Sequence, residues 1–146
     1  MNTGIPDDHL EQGTQPMKKL MTVLIAVAPL ALSSCRTAML YDPQRISIQG
    51  ASREQMRNAI TQALAGRGWV ISDERPGAID ATLNVRRHTA RITIAYDEGS
   101  FDIGYLGSTN LKYDKRASGT EKIHKNYNSW IHNLVQDISA KAGRGS

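Results

Sequence analysis

Apolar and polar residues alternate through the middle of the chain. Every second residue between positions 79 and 85 is apolar, and the residues between them are mostly polar. Residues 92–96 and 101–105 repeat the pattern, and the mostly apolar stretch 69–72 precedes it. This alternation is typical of a strand with one face in the core and one face in water. It predicts an antiparallel meander of about four strands.

Strand pairing must keep the apolar residues on one face of the sheet. Pairing Tyr96 with Phe101 satisfies this condition, as does pairing Val85 with Ile94 around a tight turn near residues 89–90. The opposite face is then polar and open to water. Its residues are Asp80, Thr82, Asn84, Arg86, Arg91 and Thr93.

Apolar residues recur at helical spacing both before and after the predicted strands in the sequence. Ser52 followed by Gln55 matches a capping box, and Gly66 and Gly68 are suited to end that helix. A second capping-box spacing, from Ser118 to Glu121, opens the predicted last helix. Its apolar stripe consists of Ile123, Tyr127, Trp130, Ile131, Leu134 and Ile138.

These elements predict one α+β domain over residues 46–142, with a frayed tail at 143–146. The expected order is α-β-β-β-β-α, and residues 45–49 are compatible with a short edge strand ahead of the first helix. In this two-layer fold both helices pack on the apolar face of the sheet. Trp69 and Trp130 are expected in the core.

The amino-terminal part of the chain has the three parts of an export signal. Lys18 and Lys19 precede an apolar stretch over residues 20–32, which is shorter than the roughly 20 residues that span a bilayer. Cys35 is the single cysteine of the chain and follows Leu32-Ser33-Ser34 directly. An intrachain disulfide is therefore impossible.

This arrangement resembles the lipobox of bacterial lipoproteins. The resemblance implies a signal peptide at 17–34, a diacylglycerol on Cys35, and fatty acyl chains such as palmitate that hold the mature protein on a membrane. Arg36, where an aspartate would favour inner-membrane retention, implies the outer membrane with the domain facing the periplasm. Residues 35–45 are expected to form a lipidated tether. Residues 1–16 are interpreted as a non-native or disordered leader, with translation starting at Met17.

Several segments also resemble a family of small uncharacterised proteobacterial lipoproteins. These are residues 76–79, Arg87-His88, residues 108–113 and residues 123–131. The resemblance implies a class of protein and no particular activity.

The net charge and the lack of catalytic motifs in the sequence narrow the classes of function to consider. The formal net charge is +4 at pH 7 and the basic residues are scattered, a pattern that does not indicate nucleic-acid binding. It allows a weak attraction to anionic lipid surfaces. The chain has no Gly-x-Ser-x-Gly elbow and no His-x₃-His pair. We therefore predict no catalytic residue, metal or cofactor.

Two groups of residues are candidates for a ligand or partner surface. His124, Asn128 and His132 recur every four residues and form a polar stripe on the last helix. Arg86, Arg87 and His88 form a basic hairpin tip. A solvated helix flank and a solvated turn are the simpler interpretations. Asn110 most simply makes turn hydrogen bonds.

The sequence favours a lipid-anchored accessory or interaction protein of the cell envelope, with an envelope protein or cell-wall polymer as partner. The alternative is a small-ligand binding module for a saccharide or a cell-wall fragment. It would use the stripe at His124 or the turn between Asn110 and Tyr113. An envelope enzyme is the least favoured class.

Overall fold

The computed structural model describes residues 36–145. The predictions made from the sequence for residues 1–35, which include the leader, the signal peptide and the lipidation of Cys35, lie outside this range. In the described chain the elements are β1 (Thr37–Met39), β2 (Ile46–Ser47), α1 (Arg53–Gly66), β3 (Val70–Arg75), β4 (Ala78–Val85), β5 (His88–Asp97), β6 (Ser100–Thr109), β7 (Asp114–Lys115), β8 (Glu121–His124), α2 (Lys125–Ala142) and a 3₁₀ turn (Gly143–Gly145).

The larger sheet confirms the predicted α+β fold. Its strand order is β2-β6-β5-β4-β3, so β3 to β6 form an antiparallel meander and β2 is the short edge strand. The alternation places Ile79, Ile92, Ile94 and Ile103 in the core, where none of the four is exposed. The two helices pack against each other, and α1 also packs against strands of this sheet.

The pairing of Tyr96 with Phe101 is confirmed, whereas the pairing of Val85 with Ile94 is wrong. Val85 pairs with His88, and Ile94 pairs with Ile79. Both registers keep the apolar residues on one face, so the hydrophobic pattern does not distinguish them. The observed register pairs all eight residues of β4, and it places the turn at Arg86-Arg87.

Helix α1 begins where it was predicted to begin, whereas α2 begins later than predicted. Ser52 accepts a hydrogen bond from the backbone of Gln55, whose side chain bonds back to the backbone of Ser52. In contrast, the residues predicted to start the last helix form strand β8, and α2 begins at Lys125. Ile123 is buried because it pairs with Ala38 in a sheet. A capping-box spacing is short enough to occur by coincidence in a loop.

A second sheet of three short strands, in the order β1-β8-β7, was not predicted. It overturns the interpretation of residues 35–45 as a tether, because Thr37–Met39 pairs with β8. Further along, Pro43 is buried, and its carbonyl accepts a hydrogen bond from the backbone of Ile103. The domain therefore begins about ten residues before its predicted start. At the other end, Gly143–Gly145 forms a 3₁₀ turn that follows α2.

The core confirms one predicted tryptophan and corrects the other. Trp69 is 4% exposed, whereas Trp130 is only partly buried and packs against the edge of the core. Tyr127 is fully buried, and its hydroxyl has no hydrogen-bond partner within the described chain. Burial raises the pKa of this phenol far above its usual range, so it stays neutral.

Candidate functional site

A polar cavity lies where the second sheet meets the hairpin between β4 and β5. Its volume is about 390 Å³, within the range of small-ligand clefts. Its residues come from four parts of the chain: the segment before β1, the hairpin, the loop after β6, and the end of β8. The lining residues are Arg36, Arg87, His88, Asn110, Lys112 and His124. We call this the basic cavity.

Hydrogen bonds join the hairpin wall of the basic cavity to the loop wall. The side chain of Asn110 donates to the carbonyl of Arg87 over 2.7 Å. The carbonyl of Asn110 accepts from Nδ1 of His88 over 2.9 Å. This bond places a proton on Nδ1 of His88, so Nε2 is an acceptor when the ring is neutral and a donor when it is charged. The two bonds fix the spacing of the walls.

The loop wall has an unusual backbone. Asn110 and Lys112 have φ angles of 59° and 51°, in the left-handed region, and they flank the buried Leu111. Arg86, next to the cavity in the hairpin, also has a left-handed φ of 55°. Glycine or asparagine adopts this conformation more readily than lysine or arginine. The chain thus keeps a lysine at Lys112 where glycine would be less strained.

His124 forms the helix side of the basic cavity. Its Nδ1 accepts a hydrogen bond from the backbone of Asn126 over 3.2 Å and so caps the first turn of α2. The proton of the neutral ring is therefore on Nε2, which is a donor. The ring centroids of His124 and His88 are 6.2 Å apart.

The cavity is electropositive. Burial lowers the pKa of His124 below its usual range, and the nearby charges of His88, Arg36, Lys112 and Lys125 lower it further. Among the described residues, no carboxylate lines the cavity. Within residues 36–145, its three permanent cations form no ion pair. Unpaired cations, imidazoles and a carboxamide around one space form a site for an anion with several oxygen atoms.

The structure divides the predicted candidate residues into two groups. His124, Arg87 and His88, which the sequence placed in two separate features, line one cavity. Arg86 lies in the same turn but does not line the cavity.

Asn128 and His132 have a different role from the one predicted. Asn128 donates to the carbonyl of Met39 and accepts from the backbone of Tyr41, and the ring of His132 stacks on Tyr41 at 3.9 Å. These two residues fasten the start of the domain to α2.

Sequence reasoning did not bring together the residues of the cavity. Arg36 was interpreted only as a sorting residue, and Asn110 and Lys112 entered only through the turn between Asn110 and Tyr113, as an alternative ligand site. The signal that could have identified Asn110 and Lys112 is their spacing around Leu111, a lone apolar residue between polar neighbours. Their convergence with Arg36 depends on the pairing of β1 with β8, which the sequence did not predict.

A smaller cavity of about 160 Å³ lies between the end of α1 and α2. Arg67 lines it, and a paired contact of its guanidinium with Asp137 neutralises that charge. Within the described residues, the carboxamide of Asn133 forms no hydrogen bond. The lining residues are Arg67, Trp69, Leu83, Val85, Trp130 and Asn133. We call this the tryptophan cavity.

The polar face of the larger sheet is the third surface that the sequence indicated. Asp80, Thr82 and Thr93 are half-buried there, and Arg91 is exposed. Arg75 binds Asp80 through two nitrogens, each 3.1 Å from a carboxylate oxygen, and this lowers the pKa of Asp80. Within the described residues Arg86 and Arg91 form no ion pair, so the charges of this face are only partly paired.

The chain matches no model of a protein family, no curated protein and no solved structure. In the part of the chain that the structure describes, no helix has the length and apolar character to cross a membrane. In that same part, no three His, Cys, Asp or Glu side chains are grouped to hold a metal ion.

Proposed function

We propose that this protein is a lipid-anchored accessory protein of the bacterial cell envelope. It is held through Cys35 at the periplasmic face of the outer membrane, and its domain binds a partner rather than catalysing a reaction. One observation supports this role above all others. Arg36, the residue directly after the proposed lipid-bearing cysteine, lines the basic cavity.

The short distance between anchor and cavity gives the proposal its geometry. Consecutive Cα atoms are about 3.8 Å apart, so Cys35 lies within one residue of the cavity wall. Strand β1 starts at Thr37 and is paired with β8, so in the sequence only Arg36 separates Cys35 from the first strand. Lipid on Cys35 would therefore hold the cavity close to the headgroups of the bilayer. Two or more acyl chains anchor a protein stably.

Binding fits the lining of the cavity better than catalysis does. Covalent catalysis needs a nucleophile with an adjacent base, and in the part of the chain that the structure describes no serine, threonine, cysteine or carboxylate lines the cavity. The lining consists of cations, imidazoles and one amide, which are groups that hold an anion.

In-cell photo-crosslinking tests the interaction role. A probe at Asn126, exposed in the first turn of α2 beside His124, should give an adduct with an envelope component. A probe at Thr82, on the polar face of the larger sheet, is the matched control. Adducts from Thr82 alone would contradict the assignment to the basic cavity. Intact mass of the same sample should show a mature chain that starts at a lipidated Cys35, and an unmodified Cys35 would refute the anchor.

A small-ligand binding module is the second candidate, and the tryptophan cavity favours it. Indole surfaces next to a free carboxamide and a neutralised guanidinium suit an uncharged sugar ring, whose apolar face packs on aromatic groups. Titration of the full chain with cell-wall disaccharide should then change its tryptophan fluorescence. Asn133→Ala should weaken the response and Gln136→Ala, an exposed change on the same helix, should not. An unchanged titration in Asn133→Ala would exclude this site.

A further inference from the structure

We propose that the basic cavity binds a phosphate monoester, presented by the headgroup of a lipid in the bilayer to which the protein is anchored. This inference rests on the proposed function for the source of the ligand, because the anchor at Cys35 brings the cavity to the headgroups. The preference for phosphate rests on the cavity alone.

The number and origin of the charges favour a dianion. Arg36, Arg87 and Lys112 come from three separate segments and surround one space of about 390 Å³. A phosphate monoester carries close to two negative charges at neutral pH and has three terminal oxygens. Its charge and its number of acceptors match three cations more closely than a single carboxylate does. Arginine also forms paired hydrogen bonds with phosphate oxygens.

The hydrogen-bonding state of the imidazoles is suited to the same ligand. Nδ1 of His124 accepts from the backbone of Asn126, so Nε2 carries a proton even when the ring is neutral. Nδ1 of His88 is used by the carbonyl of Asn110, which fixes the ring and leaves Nε2 for a ligand. The side chain of Asn110 is also bonded to the hairpin, so the walls are organised before the ligand arrives.

The charges and the backbone of the cavity both favour an anion. Within the described residues its three cations have no carboxylate partner, and Lys112 holds a left-handed backbone that glycine would adopt at less conformational cost. A strained backbone that carries a charged side chain is common at functional sites. A purely structural loop would gain stability from glycine at this position.

The lining argues against an acidic peptide as the occupant. Peptide recognition uses pockets for side chains or a free strand edge in addition to charge. The six described residues that line the cavity are all polar, and none of them offers an apolar pocket. A small, highly charged headgroup needs only the polar contacts that are present.

The experiment uses the lipidated full chain in phosphatidylcholine nanodiscs, titrated with inorganic phosphate while the imidazole signals of His88 and His124 are followed by NMR. We expect saturable binding. The variant Arg87→Gln/Lys112→Gly should bind at least about tenfold more weakly, which corresponds to about 1.4 kcal/mol. Glycine tolerates the left-handed backbone, so this variant should fold and unfold at no lower temperature than the parent.

The matched control is Arg53→Gln/Arg86→Gly. It removes the same net charge, and it also replaces one left-handed residue by glycine. Arg53 and Arg86 are exposed and do not line the basic cavity. Equal weakening in the two variants would reduce the effect to net charge and overturn the proposal. Absence of saturable phosphate binding, or tighter binding of an acidic peptide, would also overturn it.

Two further nanodisc preparations identify the source of the phosphate. One contains phosphatidic acid, a monoester lipid, and the other contains phosphatidylglycerol, a diester lipid, at equal surface charge. We expect the His124 signal to shift in phosphatidic acid discs without added phosphate, and the shift to be lost in Arg87→Gln/Lys112→Gly. A response to soluble phosphate alone would refute the lipid source. The intact mass of the chain in the same sample shows whether Cys35 is lipidated. A missing anchor, which would refute the proposed function, is therefore distinguishable from a cavity that does not bind phosphate.

Discussion

His124 combines two tasks that oppose each other. As the N-cap of α2 it must keep Nδ1 unprotonated, because this atom accepts the backbone hydrogen of Asn126. As a wall of the basic cavity it lies among cations that disfavour a further positive charge. Both effects favour the neutral ring in the folded protein. Protonation of His124 therefore opposes folding.

This predicts a pH dependence of stability in phosphate-free buffer. The folded pKa of His124 is lowered from its ordinary value of 6.5, so the unfolded chain binds the proton more readily. The contribution of His124 to stability is fully present above 6.5 and is lost as the pH falls below that value. His124→Asn keeps a capping side chain without a titrating group. Urea unfolding across this range should show a shallower loss of stability in His124→Asn than in the parent. Identical pH profiles would contradict the assignment.

At the scale of elements, α2 holds the start of the domain in place. Asn128 bonds the backbone of Met39 and Tyr41 on either side of Leu40, and His132 stacks on the ring of Tyr41. Asp42 continues the attachment by accepting from the backbone of Tyr105. Strand β1 is three residues long and is too short to be stable alone. Side chains of α2 therefore add to the pairing with β8 in holding β1 in position.

Asn128→Ala should loosen β1 and lower the stability of the domain. It removes two hydrogen bonds to the backbone, and we expect a loss of about 1–3 kcal/mol in the free energy of unfolding. Hydrogen exchange of residues 37–41 should accelerate more than that of β4 and β5. The control is Asn126→Ala on the same helix, where only the backbone of the residue is bonded. Equal exchange of residues 37–41 in both variants would show that Asn128 does not fasten the strand.

At the scale of the whole molecule, the proposed anchor at Cys35 would orient the domain, because the chain is already paired with β8 from Thr37 onward. A flexible tether would let the domain turn in any direction. Pairing of β1 with β8 instead fixes Arg36 next to Lys112 and His124 at one end of the domain. The polar face of the larger sheet lies on the side away from the helices and remains available to a soluble partner.

A Gly/Ser linker inserted between Cys35 and Arg36 should separate anchoring from headgroup binding. A linker of about 16 residues has an average reach of roughly 20 Å and lowers the effective concentration of lipid at the cavity. Inorganic phosphate should bind as in the parent, whereas the response of His124 to phosphatidic acid discs should weaken. A rigid helical insert of similar length is a second control for distance. An unchanged response with both inserts would contradict a fixed orientation.

The sequence predicted the elements with a regular period and missed those without one. The meander, the pairing of Tyr96 with Phe101 and the capped helix α1 follow from alternation and local hydrogen bonding. Strands β1, β7 and β8 have two to four residues each, which is too short for a period to be visible. Their pairing depends on contacts between the two ends of the domain. The register of Val85 was also undetermined, since two registers satisfy the same pattern.

The candidate site was predicted only in part, because it too depends on short strands that have no visible period. His124, Arg87 and His88 carry chemistry that a sequence reveals, but they were placed on two unrelated surfaces. The turn that contains Asn110 and Lys112 was considered only as a separate ligand site, and it joins Arg36 only when β8 brings the loop and the first strand together. The left-handed backbone at Lys112 has no signature in the sequence, because lysine is not a residue typical of that conformation.

The contact between the first strand and the last helix also determines the order in which the protein can form. Tyr41 and Asn128 are separated by 87 positions, so the first strand lacks its partners until nearly the whole chain has been made. Contacts of such long sequence separation form slowly. If the chain is exported from its amino terminus, as proposed, the end nearest the proposed anchor is therefore the last part of the domain to complete its fold.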